Sequence, residues 1–375
     1  MSTRSKYFLF TSWLVLPLVL GCGDDGQRGQ ESCQFPTFAR ASEPLKTTDA
    51  GQCDRDLALA FGGDCENFHW LGLIGDPFVL YDGDKFRMWF TGGEQVGDLM
   101  TSPMWQPGIV IAESADGILW QDPKNLQSDV VPVLRPGTAG IDETGVETAA
   151  VVKNGDDTYL YYTGDRAVSP SSVHVIGLAT SQDGANFQKH PTPVLSATLP
   201  WEQPFDAGGF EVGGVLEPSV IIEDGVWRLW YQAFGREGTG LDYSRFGYAE
   251  SSDGIQWSKR AEPIFRGQLG TFEALGVAHT NVVKDPRGGY HLFYVGIGTD
   301  ENLRMGHAFS NDGLVWDRNP KNPIIEGVMG SFDAGLAGGP SAVFVGDTIY
   351  LFYMGTPKPD FSEPTRFALS IGSCE

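Results

Sequence analysis

The sequence predicts an all-β fold: a β-propeller of five blades, each of four antiparallel strands, with the ring closed by an N-terminal strand. Three observations carry this reading. A strand–turn–strand segment recurs five times, and an Asp-Gly turn signature recurs four times. The 375-residue chain is also rich in glycine (49) and aromatic residues (12%), and few of the aromatics fall in helical patterns.

The first repeat element is a hairpin. It occurs at 76–92, 147–164, 217–232, 279–296 and 339–355, with starts 71, 70, 62 and 60 residues apart. Each copy has an apolar, β-branched strand, a turn of Asp, Gly, Asn or Pro, and an alternating aromatic strand, which is the hairpin pattern. A third strand follows, then the second element: SADGILW (114–120), SQDGANF (181–187), SSDGIQW (251–257) and SNDGLVW (310–316). The Asp-Gly pair supplies the turn, and the closing aromatic packs between sheets. A fourth strand is expected to end at Pro132-Val133-Leu134, Pro193-Val194-Leu195, Pro263-Ile264-Phe265 and Pro323-Ile324-Ile325. The fifth repeat stops at its third strand. Residues 38–45 (FARASEPL) echo 258–265 (SKRAEPIF) and are expected to supply its missing partner. The spacings exceed the roughly 40–50 residues of common propeller blades, so the surplus lies in loops, where sites are built.

The formal net charge of −22 disfavours nucleic acid and anionic lipid surfaces as partners, while keeping an exported surface soluble. Arg4 and Lys6 precede an apolar run, Tyr7–Leu20, too short to span a bilayer comfortably. Val19-Leu20-Gly21-Cys22 resembles a bacterial lipobox, which implies cleavage before Cys22 and its lipidation. The expected organisation is a lipoprotein signal peptide (1–21), a flexible tether (22–36) and the propeller (37–375). The expected location is the bacterial cell envelope, with the membrane engaged through the lipid anchor only. Four further cysteines, Cys33, Cys53, Cys65 and Cys374, suggest two disulfides. Three pairings exist, with Cys53–Cys65 and Cys33–Cys374 favoured.

Read in register, the five innermost strands open on Asp76, Glu147, Glu217, His279 and Gly339. Acid side chains brought to one channel mouth repel one another, and repulsion with burial separates their pKa values into acid and base. Paired carboxyl groups are the apparatus of glycoside hydrolysis. His279 is a candidate ligand for a substrate hydroxyl or for a structural Ca or Na ion, and no cofactor is required. The bland alternative is that Asp76 and Glu217, each followed by proline, cap strand starts. A second set of acids precedes the innermost strands at Ile141-Asp142, Phe205-Asp206, Phe272-Glu273 and Phe332-Asp333. Asp206 and Asp333 are expected to bind sugar hydroxyls, unless these pairs are a repeated loop clip. Trp70, Trp105 and Trp201 are expected in loops near the mouth, as sugar-stacking platforms or packing plugs.

A five-bladed propeller with acids at its inner strand starts resembles the glycosidase superfamily. That group includes glycoside hydrolase family 43 (arabinanases and xylosidases), the fructosidases of family 32 and the mannoside phosphorylases of family 130. By that resemblance, the Asp before Pro in GDPFVLYDGDKFRMWF implies that Asp76 is the general base, and LEPSVIIEDGVWRLWY implies that Glu217 is the general acid. Blade two departs from the pattern: Ala149 stands where the family has Asp, and Glu147 is expected to take over the pKa-tuning role. GVETAAV is similar to the Gly-Val-Glu-Asp-Pro-Arg stretch of family 130, without its Asp and Arg. No basic cluster suited to phosphate accompanies it. The Asp-Gly signatures also resemble the Asp-box of sialidases, one residue shorter, without the arginines that bind sialic acid. The resulting expectation is an exported, monomeric glycoside hydrolase-like protein acting on oligo- or polysaccharides. The alternative is a surface lipoprotein that binds a glycan or a partner without catalysis.

Overall fold

The structure, a computed structural model, describes residues 33–47, 74–96, 104–120, 132–166, 171–235, 243–300, 302–358 and 365–373. The expected signal peptide, Cys22, Cys53, Cys65, Cys374 and Trp70 lie outside the described residues, as does the side chain of Trp105. Cys33 is described and disulfide-bonded, and its partner is not among the described residues.

All five expected hairpins form, each extended by a third antiparallel strand. The strands are Ile74–Tyr81, Phe86–Val96 and Met104–Ser114 in the first repeat, and Gly145–Asn154, Asp157–Asp165 and Ser172–Ser181 in the second. The third repeat has Glu211–Glu223, Val226–Phe234 and Ser244–Ser251, and the fourth has Gly276–Lys284, Tyr290–Ile297 and Leu303–Ser310. Leu336–Val345, Thr348–Thr356 and Arg366–Ser373 make up the fifth. Among the described residues the helical content is one 3-10 turn, Pro200–Glu202.

The hydrogen-bonded sheets do not run continuously through all five repeats. The second, third and fourth share one 14-stranded sheet, while the first and fifth stand in sheets of three and four. Side-chain packing joins what backbone pairing does not. One hydrophobic cluster fills each junction between successive repeats, and another joins Phe352, Met354 and Phe367 of the last repeat to Val79, Phe86 and Phe90 of the first. Each fully buried large side chain contributes on the order of 1.5–3 kcal/mol.

The expected fourth strand is shorter than the sequence suggested. It is a two-residue piece at Gln188–Lys189, Ser258–Lys259 and Asp317–Arg318. Proline then interrupts pairing, because it has no N–H to donate. The apolar residues after it return to the third strand, Leu134 to Ile109, Leu195 to Ile176, Phe265 to Phe246 and Ile325 to Met305. In the fifth repeat the N-terminal segment supplies this piece: Thr37–Phe38 pairs antiparallel with Gly372 and Ser373. The echo with residues 258–265 is offset by one position, because Arg40, not Ala39, takes the place of Lys259 (see below).

The Asp-Gly signatures fold as one device. Ser310 Oγ donates to Asp312 Oδ1 (2.9 Å) and accepts from the N–H of Gly313 (2.8 Å), while Asp312 Oδ1 accepts from Leu314 N and Val315 N. The other three copies repeat the pattern. The glycine at the corner has a φ of about 75° in all four, a left-handed conformation that glycine reaches at little cost.

Candidate active site at the kinks of the first strands

Each first strand carries a two-residue bulge near its start, where pairing with the second strand skips a step. The residue that opens the bulge is left-handed: Asp76 (φ 50°), Thr148 (49°), Glu217 (52°), His279 (55°) and Gly339 (55°). Four of the five are not glycine, so each holds strain on the order of 1–2 kcal/mol. Such strain persists only where the surroundings enforce it, and it gathers at functional sites. The kink also re-aims the side chain out of the strand's regular alternation.

This corrects the sequence register in the second repeat. The residue equivalent to Asp76 and Glu217 is Thr148, and Glu147 precedes the bulge, paired with Thr163. The slip arose because Glu147 supplies the charge that the pattern sought, whereas Thr148 has neither charge nor a following proline.

Three of the expected residues meet. His279 Nδ1 lies 3.5 Å from Asp76 Oδ1 and 3.3 Å from Glu217 Oε1. The two carboxylate oxygens therefore lie no more than roughly 7 Å apart, on either side of one imidazole nitrogen. The side chains of Asp76, Glu217 and His279 keep 15%, 10% and 18% of their accessibility, so the group is shielded but open to a ligand.

Glu217 Oε2 accepts the backbone N–H of His279, and that N–H is shared with Gln232 Oε1 at 3.2 Å. Burial holds the Glu217 pKa above its usual value, and the charge of Asp76 adds to this against the opposing pull of His279. Glu147 is half-buried in the same neighbourhood. Burial, then the charges of Asp76, Asp165 and Glu217, push it up to about 8.

The sequence reading missed the residues that orient this group. Thr91 Oγ1 accepts from the N–H of Thr148 (2.9 Å), so its own proton is committed to Asp76 Oδ2 (3.0 Å). Thr163 Oγ1 accepts from the N–H of Glu217 (2.8 Å). Thr91, Thr163 and Gln232 occupy one place, directly after the aromatic pair of the second strand. Val295 and Met354 fill that place in the last two repeats. The polar-to-apolar change along the repeats is a readable signal, and it marks the three repeats that orient the site.

The second set of acids is a clip. Asp142, Glu202, Glu273 and Asp333 are fully buried. Each meets a cation from the short fourth strand or its equivalent: Lys189 (2.6 Å), Lys259 (2.6 Å), Arg318 and Arg40 (2.6 Å). Tyr162, Tyr231 and Tyr353 of the second strands donate to Asp142, Glu202 and Asp333, and Tyr294 interacts with Glu273. Three of these rings, Tyr162, Tyr231 and Tyr294, need glycine beside them: a Cβ at Gly177, Gly247 or Gly306 would come within 2.4 Å of a ring atom, whereas Tyr353 stands opposite Ala368. Asp333 is thus sealed against Arg40 and is not a sugar ligand. Asp206 is not the third member of the series; Glu202 is. Asp206 is exposed and caps Gly209 N in a hairpin of its own (2.7 Å). Trp201 is a plug: buried, donating to Ala261 O (2.9 Å) and stacked on Tyr231.

Among the described residues no three His, Cys, Asp or Glu side chains are arranged to hold a metal, and His279 Nδ1 is turned to the two carboxylates instead.

No protein-family model matches the chain. Two curated relatives do, the uncharacterized proteins Rv1502 and MT1551 from two strains of Mycobacterium tuberculosis. Each is 32% identical over 258 residues, covering 68% of this chain and 78% of the relative. Among solved structures, a family 130 enzyme described as targeting β-1,2-mannosidic linkages in Candida mannan has a TM-score of 0.60 at 16% identity, covering 93% of this chain and 96% of that one. A thermostable family 43 glycoside hydrolase has a TM-score of 0.56 at 18% identity, covering 80% and 88%. The β-1,2-mannobiose phosphorylase from Listeria innocua, in complex with β-1,2-mannobiose, has a TM-score of 0.57 at 16% identity, covering 80% and 89%. The fold is therefore that of the β-propeller glycoside hydrolases and phosphorylases, and the chain belongs to the same family as the uncharacterized protein Rv1502 of Mycobacterium tuberculosis.

Proposed function

We propose that the protein is a glycoside hydrolase built on a closed ring of five blades, exported and held at the cell envelope by a lipid on Cys22. The observation that carries the catalytic reading is the convergence of Asp76 and Glu217 on one imidazole nitrogen, at 3.5 and 3.3 Å. Glu217, with its raised pKa, is the proton donor to the leaving oxygen. Asp76, fixed by Thr91, acts as base or nucleophile on the opposite side of the sugar. The backbone N–H of His279 occupies Glu217 Oε2, so Oε1, which faces His279 Nδ1 at 3.3 Å, is the oxygen that carries the proton to the substrate. Glu147 shapes the field of the other two, and no step passes through an ion.

The charge of the site favours hydrolysis over phosphorolysis. Among the described residues Asp76 and Glu217 form ion pairs with His279 and with no lysine or arginine, and a phosphate needs cationic donors. A binding protein without turnover is the second reading. Its support is Thr148, which puts a neutral side chain where the bulge series otherwise presents acids in the first and third repeats.

Aryl-glycosides and plant, fungal and bacterial oligosaccharides, screened beside Asp76→Asn and Glu217→Gln, test the proposal. Hydrolysis that both changes abolish supports it. Activity that survives both overturns the assignment, and glycan binding without turnover selects the second reading.

A further inference from the structure

A second row of reactive side chains borders the carboxylates, on the second repeat. Ser172 and His174 are two residues apart on one strand, so they share a face. His174 is the direct cross-strand partner of Asp165. Ser172 Oγ lies 2.8 Å from His174 Nε2, and His174 Nδ1 lies 4.0 Å from Asp165 Oδ1. Nδ1 is buried. With the ring N–H on that nitrogen, facing a carboxylate, Nε2 presents its lone pair to the serine hydroxyl. Burial lowers the His174 pKa, which keeps the ring neutral and able to accept a proton at pH 7.

The other repeats serve as internal controls. The pair Asp165/His174 is replaced by Phe234/Ser244 in the third repeat and by Ile297/Leu303 in the fourth. The strands form there without an acid or an imidazole, so the fold does not demand the row. Its placement is not remote either, since the charge of Asp165 acts on Glu147.

We propose that Ser172, His174 and Asp165 form a second catalytic group, which cleaves small carboxylic esters such as O-acyl substituents of a sugar. Ser172 Oγ bonds to the acyl carbon while its proton passes to His174 Nε2. The bond from that carbon to the alcohol oxygen breaks, and the proton moves from Nε2 to the departing oxygen. Water then attacks the acyl-serine by the same relay, releases the carboxylic acid and restores the hydroxyl. Asp165 stabilises the imidazolium formed in each half, and the His–Asp contact tightens when substrate is bound.

The test needs no sugar, so it is separate from the glycosidase reading. The purified protein is treated with a fluorophosphonate probe and assayed on p-nitrophenyl acetate, beside Ser172→Ala and His174→Gln, with circular dichroism as the check on folding. The expected result is a probe adduct on the peptide that carries Ser172. Ser172→Ala, which removes a single oxygen, abolishes labelling and ester cleavage. His174→Gln slows both by about 100-fold or more. A wild-type protein that is neither labelled nor active overturns the proposal, as does labelling that persists in folded Ser172→Ala.

Discussion

His279 engages both oxygens of Glu217: its backbone N–H donates to Oε2, and its Nδ1 lies 3.3 Å from Oε1. One residue of the fourth repeat thus fixes the orientation of a carboxyl group from the third. That orientation depends on the kink at His279, because an unkinked strand would carry its N–H away from the third repeat.

The raised pKa of Glu217 gives the first prediction. A general acid works while protonated, so kcat/KM should fall as pH rises through a value above the ordinary glutamate pKa of about 4.3. Glu217→Gln should lose that falling limb together with about 10²–10⁴ of the rate. The pH–rate profile on a substrate found by the screen reads both. A limb at or below the ordinary value would remove Glu217 from the acid's role.

Glu147 gives a prediction on stability. Its folded pKa, about 8, exceeds that of a free glutamate. The folded state therefore holds a proton that the unfolded chain has released, and stability from this group declines as pH rises from the ordinary glutamate range to about 8. Glu147→Gln removes the titration. Its unfolding free energy should gain on the wild type across that window, as measured by urea unfolding at several pH values. A constant difference would show that Glu147 does not carry the shift.

Thr148 is β-branched and left-handed, a conformation that branching penalises. Thr148→Asn and Thr148→Gly should each raise stability by about 1 kcal/mol, because these residues reach that backbone region more easily. Chemical denaturation measures the gain. Destabilisation by both would mean that the threonine side chain makes contacts worth more than the strain.

The clip predicts a strong asymmetry between single and double changes. Lys259 and Glu202 are buried together with the Tyr231 hydroxyl. Lys259→Met leaves a buried carboxylate without its cation and should cost about 3–5 kcal/mol. Adding Glu202→Gln should recover part of that loss, since no uncompensated charge then remains. A double-mutant cycle gives the coupling, and simple additivity would refute the pairing.

Local pattern made the hairpins, the Asp-Gly turns and two of the site acids readable. Asp76 and Glu217 stand out because a charged residue before proline interrupts an apolar strand. Glu147 takes the place of Thr148 in the sequence register because backbone handedness leaves no mark in residue type. Glu202 was missed because a short hairpin, Phe205–Asp206 with Glu211–Val212, imitates the aromatic–acid pair Trp201-Glu202 four residues later. Thr91, Thr163 and Gln232 act across repeats, on residues 47 to 57 positions away, and no local window joins such positions.

The pairing of Thr37–Phe38 with Gly372 and Ser373 sets an order on assembly. The partners are 336 residues apart, so the earliest described strand has nowhere to dock until Arg366–Ser373 has been made. Junctions between successive repeats bury their side chains as the chain lengthens, whereas the seam from last to first must form at the end, against the loop-closure entropy of 336 residues. Until then two sheet edges stay bare, and a nascent chain is most exposed to mispairing in that interval.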